Sequence, residues 1–127
     1  MKLYDSGKKL TKDSLERFEK MLGKSLPSDY KDFMMKDNGG TPEEDLAFSF
    51  IDVTTNSTNN SDIRELFVFY EDEDNDNFDD IVRIYNSMVN ENLIPPFFLP
   101  IGDDSGGNPI CMNLSENEYG SVWFCDH

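Results

Sequence analysis

Pro42 separates two stretches with different hydrophobic periods, and that switch limits the chain to folds that mix helices with strands. Before it, apolar residues recur at helical spacing. Leu15, Phe18, Met21 and Leu22 form one stripe, with Asp13 and Glu16 spaced as a capping box ahead of it and Gly23 suited to a left-handed stop behind it. Leu26-Pro27 sets a corner. A second helix is expected from Ser28, with Tyr30, Phe33 and Met34 on one side, ending at Asn38-Gly39-Gly40.

Beyond Pro42 the pattern suits strands. Leu46, Phe48 and Phe50 alternate with Ala47, Ser49 and Ile51, and Ile63 to Tyr70 is rich in β-formers, so these two runs are expected to pair. Thr54 to Ser61 between them is polar and of low complexity, and a mobile loop is expected there, since such side chains hydrogen-bond their own backbone. A third helix is expected from about Asp79 to Asn90, with Ile81, Ile84, Tyr85 and Met88 facing inward. Phe97 to Ile101, Pro109 to Leu114 and Ser121 to Phe124 then read as three short strands of an antiparallel meander. The class is α+β: a largely antiparallel sheet of about five to six strands with helices packed on one face, in a single domain over residues 1–127.

Composition narrows the function classes. The 127 residues carry 26 acids against 11 Lys and Arg, a net charge of -15, yet ten Phe and a 37% apolar fraction supply a core. No apolar run approaches the ~20 residues that span a bilayer, and the N-terminus lacks the apolar region of a secretory signal, so a soluble, cytoplasmic protein is expected. The charge disfavours nucleic acid and membrane surfaces and favours a basic partner. It is also segregated: residues 1–36 hold nine bases and six acids, whereas residues 37–127 hold 20 acids against Arg64 and Arg83 alone. The later two-thirds must present an acidic surface.

Strings that could carry chemistry are weak on inspection. Cys111 and Cys125 lie in apolar, strand-like stretches without metal spacing and read as reduced thiols. Asp104-Ser105-Gly106-Gly107 is similar to the loop around a protease nucleophile, but His127 is the sole histidine and the chain cannot supply two barrels; a hairpin turn explains the string. In the run from Glu71 to Asp80, Asp72, Asp74 and Asp76 take positions 1, 3 and 5 of a calcium loop. Position 6 is Asn77 rather than Gly and position 12 is Arg83 rather than Glu, so no EF-hand is expected. Asp79 and Asp80 suit the N-terminus of the third helix. Carboxylates are so numerous that no particular pair indicates acid–base catalysis. Trp123 and Tyr119 are the aromatics best placed to anchor a partner, with core packing the commoner role for Trp123.

Two groups of residues carry a family resemblance. Phe18-Glu19 through Leu22-Gly23, Leu26-Pro27-Ser28-Asp29-Tyr30-Lys31-Asp32-Phe33 and Asn38-Gly39-Gly40 form the first. The second runs from Phe98-Leu99-Pro100-Ile101-Gly102-Asp103-Asp104-Ser105-Gly106-Gly107-Asn108 with Ile110-Cys111 to Gly120-Ser121-Val122-Trp123-Phe124 and Asp126-His127. Together they resemble the SUKH superfamily, which joins fungal cell-wall-assembly regulators and bacterial toxin-immunity proteins; the segment from about Asp52 to Asn90 matches only in its β-then-α character. Members commonly continue past the Asp-His pair with a further helix, so this chain is expected either to be trimmed or to be a compact member. The resemblance implies a noncatalytic binding domain, typically an immunity protein that blocks a bacterial toxin, often a nuclease.

The combined expectation is an immunity protein, a monomer or weak homodimer with no cofactor or metal, that neutralises a basic toxin domain through Glu71, Asp72, Glu73, Asp74, Asp76, Asp103, Asp104, Glu116, Glu118 and Tyr119. These are chosen for local charge and loop position. The alternatives are a regulatory domain that binds an endogenous protein or peptide in a cleft between sheet and helices, and a hydrolase with an unrecognised carboxylate pair.

Overall fold

The computed structural model describes residues 3–43, 47–52, 58–72 and 77–125. The N-terminal third folds as its periodicity requires. A short strand β1 (Leu3–Tyr4) leads into helix α1 (Lys12–Leu22), and α2 (Ser28–Lys36) follows the Leu26-Pro27 corner. The cap of α1 is Thr11 rather than Asp13. Thr11 Oγ1 accepts from the Ser14 N–H and Ser14 Oγ accepts from the Thr11 N–H, so a serine fills the role expected of Glu16. Gly23 ends the helix at φ 71°, where Cβ-bearing residues are disfavoured.

After β2 (Thr41–Pro42), which pairs antiparallel with β1, come β3 (Ala47–Asp52), β4 (Thr58–Asp62), β5 (Glu65–Leu66), helix α3 (Ile81–Asn90), β6 (Phe98–Asp103), β7 (Pro109–Asn113) and β8 (Val122–Phe124). Six of these form one sheet in the order β4-β3-β8-β7-β6-β5. The expected meander is present as β6-β7-β8, and the α+β class with a largely antiparallel sheet holds. One junction is parallel: β8 returns beside β3 with Ile51 opposite Trp123.

One expected pairing and one expected loop are corrected. β3 pairs not with the Ile63 to Tyr70 run but with β4, in the register Ala47↔Asp62 to Ile51↔Thr58. Thr58 to Ser61 of the expected loop are therefore a strand; a hairpin ladder satisfies backbone groups that local side-chain bonding would otherwise claim, and an edge strand tolerates polar residues. Leu46 and residues 54–57 lie outside the described residues. Of the Ile63 to Tyr70 run, only Glu65–Leu66 enters the sheet, against β6. Phe67, Val68 and Phe69 are buried; Phe67 N–H still bonds Ile101 O of β6, but the strand ends there because Val68 N–H goes to Asp79 and Phe69 N–H to the Asn38 side chain.

One apolar cluster joins helices and sheet. Leu15, Phe18 and Leu22 of α1, Tyr30 and Met34 of α2, and Ile81, Val82 and Tyr85 of α3 meet Phe69, Phe98, Leu99, Cys111 and Met112. Phe18 stacks on Phe69 at 4.6 Å between centroids and 10° between planes, an arrangement worth about 1 kcal/mol beyond simple burial. Trp123 packs against this core beside Phe98, its indole N–H donating to Ser121 Oγ. Cys111 and Cys125 are free thiols that hydrogen-bond each other, which raises the Cys111 thiol pKa with help from burial and lowers that of Cys125.

Two buried polar side chains differ sharply in how they are satisfied. Asn38 Nδ2 donates to the Lys8 and Phe69 carbonyls while its Oδ1 accepts from Phe69 N–H. The Tyr30 hydroxyl is buried with no hydrogen-bond partner among the described residues, and burial pushes its pKa up. Asn38→Ala is expected to cost about 3 kcal/mol in urea unfolding, since it strands buried backbone groups. Tyr30→Phe is expected to be neutral or slightly stabilising, because it removes a desolvated hydroxyl and no bond. A large loss in Tyr30→Phe would show that the hydroxyl does have a partner.

Candidate functional site

The acidic residues expected at a contact surface fall into three places. At one end of the sheet the β6-β7 turn holds Asp103 and Asp104, both buried, at 7% and 6% exposure. The Arg64 guanidinium reaches both carboxylate oxygens of Asp103 through Nε and Nη2, and its Nη2 lies 3.7 Å from Glu65. Asp104 accepts from the backbone N–H groups of Gly106 and Asn108, each at 2.9 Å, and from Asn108 Nδ2. Ser105 bonds Asp62 through both its amide and its hydroxyl. This string is a structural turn, and its two aspartates point their oxygens at the chain itself.

Desolvation governs the electrostatics at this end. It raises the Asp103 pKa despite the opposing pull of Arg64, and it raises Glu65 too, with Asp103 and Asp79 adding like-charge repulsion. Tyr70 donates to Asp79 at 2.8 Å, and burial together with that bond pushes its pKa up to about 12. These groups are an acidic cluster neutralised in part by one arginine.

The second place is the segment after Tyr70. Glu71 is exposed and pairs with Arg17 of α1 at 3.2 Å; Asp72 is exposed beside it. Glu73, Asp74 and Asp76 lie outside the described residues, as do Asp126 and His127. Downstream, Asp80 caps α3 by accepting from the Val82 and Arg83 amides, as its position before the helix suggested. Open grooves flank α1: one of about 620 Å³ toward α3, lined by Met21, Val82 and Arg83 among others, and one of about 500 Å³ toward Phe69, Tyr70 and Glu71.

The third place is the β7-β8 turn, with Glu116, Glu118 and Tyr119 exposed and the Tyr119 hydroxyl donating to the Ser25 carbonyl. Because β6 and β7 run antiparallel with Phe98 opposite Asn113 and Asp103 opposite Pro109, this turn sits at the other end of the strands from Asp103. Six strand residues separate the ends by roughly 17 Å. The described residues among the ten therefore do not converge on one spot.

Sequence reasoning missed two apolar residues at this third place. Leu93 and Phe97 are 58% and 41% exposed, and Phe97 O accepts from Leu114 N–H at the exit of β7. The signal was available in the helix stop that precedes them: Asn92 rather than Gly takes the left-handed conformation, at φ 59°. Among the described residues, no group of three or more His, Cys, Asp and Glu is arranged to hold a metal ion, and no helix is long and apolar enough to cross a membrane.

A carboxyl group whose folded pKa lies above its unfolded value holds its proton more tightly when folded, so stability rises as pH falls through the folded value and the gain is complete at the unfolded one. Glu65 and Asp103 are both raised. Melting temperature at low salt is therefore expected to increase on going from about pH 7.5 to about pH 5. Glu65→Gln should flatten that rise. An unchanged pH profile in this variant would remove Glu65 as a source.

A family model described as SMI1 / KNR4 family (SUKH-1) matches residues 9–127. The SPbeta prophage-derived uncharacterized protein YokK of Bacillus subtilis (strain 168) is 29% identical over 127 residues, covering 92% of this chain and 62% of its own length. The chain thus spans less than two-thirds of that relative. No solved structure matches. With its helix–corner–helix opening, its Gly-rich β6-β7 turn and a match across nearly its whole length, the chain belongs to the SMI1 / KNR4 (SUKH-1) family.

Proposed function

We propose that this protein is a noncatalytic immunity protein that binds and neutralises a basic, nuclease-type bacterial toxin domain. The observation that carries the reading is the segregation of charge: 20 acids against two bases over residues 37–127. Such a surface accelerates encounter with a basic partner and repels nucleic acid, the substrate such a partner would otherwise hold. Membership of the SUKH-1 family and similarity to a prophage-derived protein support a protein partner of this kind.

The proposed contacts are made by exposed Glu71, Asp72, Glu116, Glu118 and Tyr119, together with Glu73, Asp74 and Asp76, which follow Asp72 in sequence. Asp103 and Asp104, being buried, add to the field rather than to the contact.

Coexpression with nuclease toxin domains from the same or related strains tests the reading, with restored growth as the readout. For a rescued toxin, replacing Glu71, Asp72, Glu116 and Glu118 by their amides is expected to slow association about tenfold or more at low salt, to leave dissociation less affected and to flatten the salt dependence. Rescue that survives these changes with an unaltered association rate would remove electrostatic steering from the account.

A further inference from the structure

Among the described residues five large hydrophobic side chains are exposed: Tyr4, Phe78, Leu93, Phe97 and Tyr119. Three gather at one end of the sheet. Phe97 O accepts from Leu114 N–H, Asn113 O accepts from Gly120 N–H, and the residue between Gly120 and Glu118 is Tyr119, whose hydroxyl reaches Ser25. Leu93 lies beyond α3, two residues before Pro95, whose carbonyl accepts the Phe98 N–H at the start of β6.

The way α3 stops argues that this exposure is not incidental. Leu93 N–H bonds Met88 O at 2.9 Å after Asn92 at φ 59°, a helix stop in which the residue at the Leu93 position ordinarily folds its side chain onto the final turn. Here Leu93 stays 58% exposed and the next residue, Ile94, goes inward at 5%. Glu91 sits at the C-cap with no base in the last turn, a placement the helix dipole disfavours. Neither choice serves stability.

The platform is also held in place before any partner arrives. Tyr85 Oη donates to Pro96 O, Phe98 N–H bonds Pro95 O, and the Phe97 ring meets Phe98 edge-on at 5.3 Å. Anchors fixed in this way lose little entropy on binding. The segments that build this end expose Glu91, Glu116 and Glu118, with Lys24 the base next to Ser25 in sequence.

We infer that this end of the molecule is the docking surface for a basic protein domain that presents apolar side chains among its lysines and arginines, with Leu93, Phe97 and Tyr119 as anchors and Glu91, Glu116 and Glu118 as rim. The inference rests on the immunity reading and narrows it from a broad acidic surface to one end of the sheet. The occupant follows from charge complementarity: a second copy of this chain would bring another acidic rim, at a net charge of -15, against the first.

The test uses a catalytically inactivated nuclease toxin domain chosen from those that the protein rescues in coexpression. Leu93→Ser with Phe97→Ser is expected to weaken binding about tenfold or more, mainly through faster dissociation, with the salt slope unchanged. Glu116→Gln with Glu118→Gln should instead slow association. The Glu116/Glu118 variant should melt within about 2 °C of the parent, since both side chains are exposed, and the Leu93/Phe97 variant, which gives up the Phe97–Phe98 edge contact, should lose several degrees yet keep a cooperative melt well above the assay temperature. If the Leu93/Phe97 variant keeps full affinity while Glu71→Gln with Asp72→Asn weakens binding, the docking surface is misplaced and the immunity reading stands. If no toxin domain is rescued or bound, the reading fails and takes this surface with it. A parent protein that sediments as a dimer and becomes monomeric in the Leu93/Phe97 variant would make the patch a self-interface and overturn the assignment.

Discussion

The buried amide of Asn38 holds together three parts of the chain that are distant in sequence. Its Nδ2 bonds carbonyls 30 and 31 residues away, its Oδ1 takes the Phe69 amide, and its own carbonyl receives Gly7 N–H. The end of α2 is thereby tied to the N-terminal segment and to the irregular run of Phe67 to Phe69. From that run the rest of the core is placed: Phe69 stacks on Phe18 of α1, and Val68 exchanges backbone bonds with Asp79 and Ile81, which sets the start of α3. Gly39 is part of the same constraint. At φ 67° a Cβ there would also run into the Phe67 carbonyl oxygen, so the corner cannot close on another residue without moving the run it supports.

Asp80 caps α3 and Asp104 holds its turn, but the ion pairs add little to a scaffold fixed by neutral amide bonds. The Arg17–Glu71 pair is exposed on both sides and contributes at most about 1 kcal/mol. Arg64 does more by sitting on a buried carboxylate, yet Asp103 still carries a raised pKa because desolvation outweighs that partner. Carboxylates in such surroundings reduce stability near neutral pH. Their presence is better explained by what they do to an approaching molecule than by what they do for the fold.

The helices were legible in the sequence because an apolar stripe at helical spacing reports burial directly: Leu15, Phe18, Leu22, Tyr30, Met34, Ile81 and Tyr85 are all buried. Strand partners were not, because pairing is decided by tertiary competition rather than by local preference. The Ile63 to Tyr70 run looks like a long strand, but Asn38 and Asp79 take the amides and carbonyls that a ladder would need; Thr58 to Asp62 looks like a loop and pairs with β3. The parallel return of β8 beside β3 had no local signature at all. For the site, the acids could be counted but their burial could not. Asp103 and Asp104 read as surface residues until Arg64 and the Gly106 and Asn108 amides are seen around them.

Charge alone cannot orient a partner on this molecule. The β6-β7 end holds Glu65, Asp103 and Asp104 around Arg64, with Asp79 beside Glu65 and Asp62 bonded to Ser105, while Glu116 and Glu118 lie at the opposite end of the strands, roughly 17 Å away. At physiological ionic strength the Debye length is about 8 Å, so a basic surface docking at one end hardly senses the other. Both ends attract, neither excludes the other, and the field raises the encounter rate without selecting a pose. Selection must come from short-range groups that differ between the ends. At the β6-β7 turn the short-range groups are already engaged with one another; at the far end Leu93, Phe97 and Tyr119 present ring and aliphatic surface to solvent. A partner drawn in by the whole acidic surface gains apolar contact from these three residues together at that end, whereas beside Asp79 the described residues offer only Phe78, and it is at the three-residue end that the long-range attraction can become a specific complex.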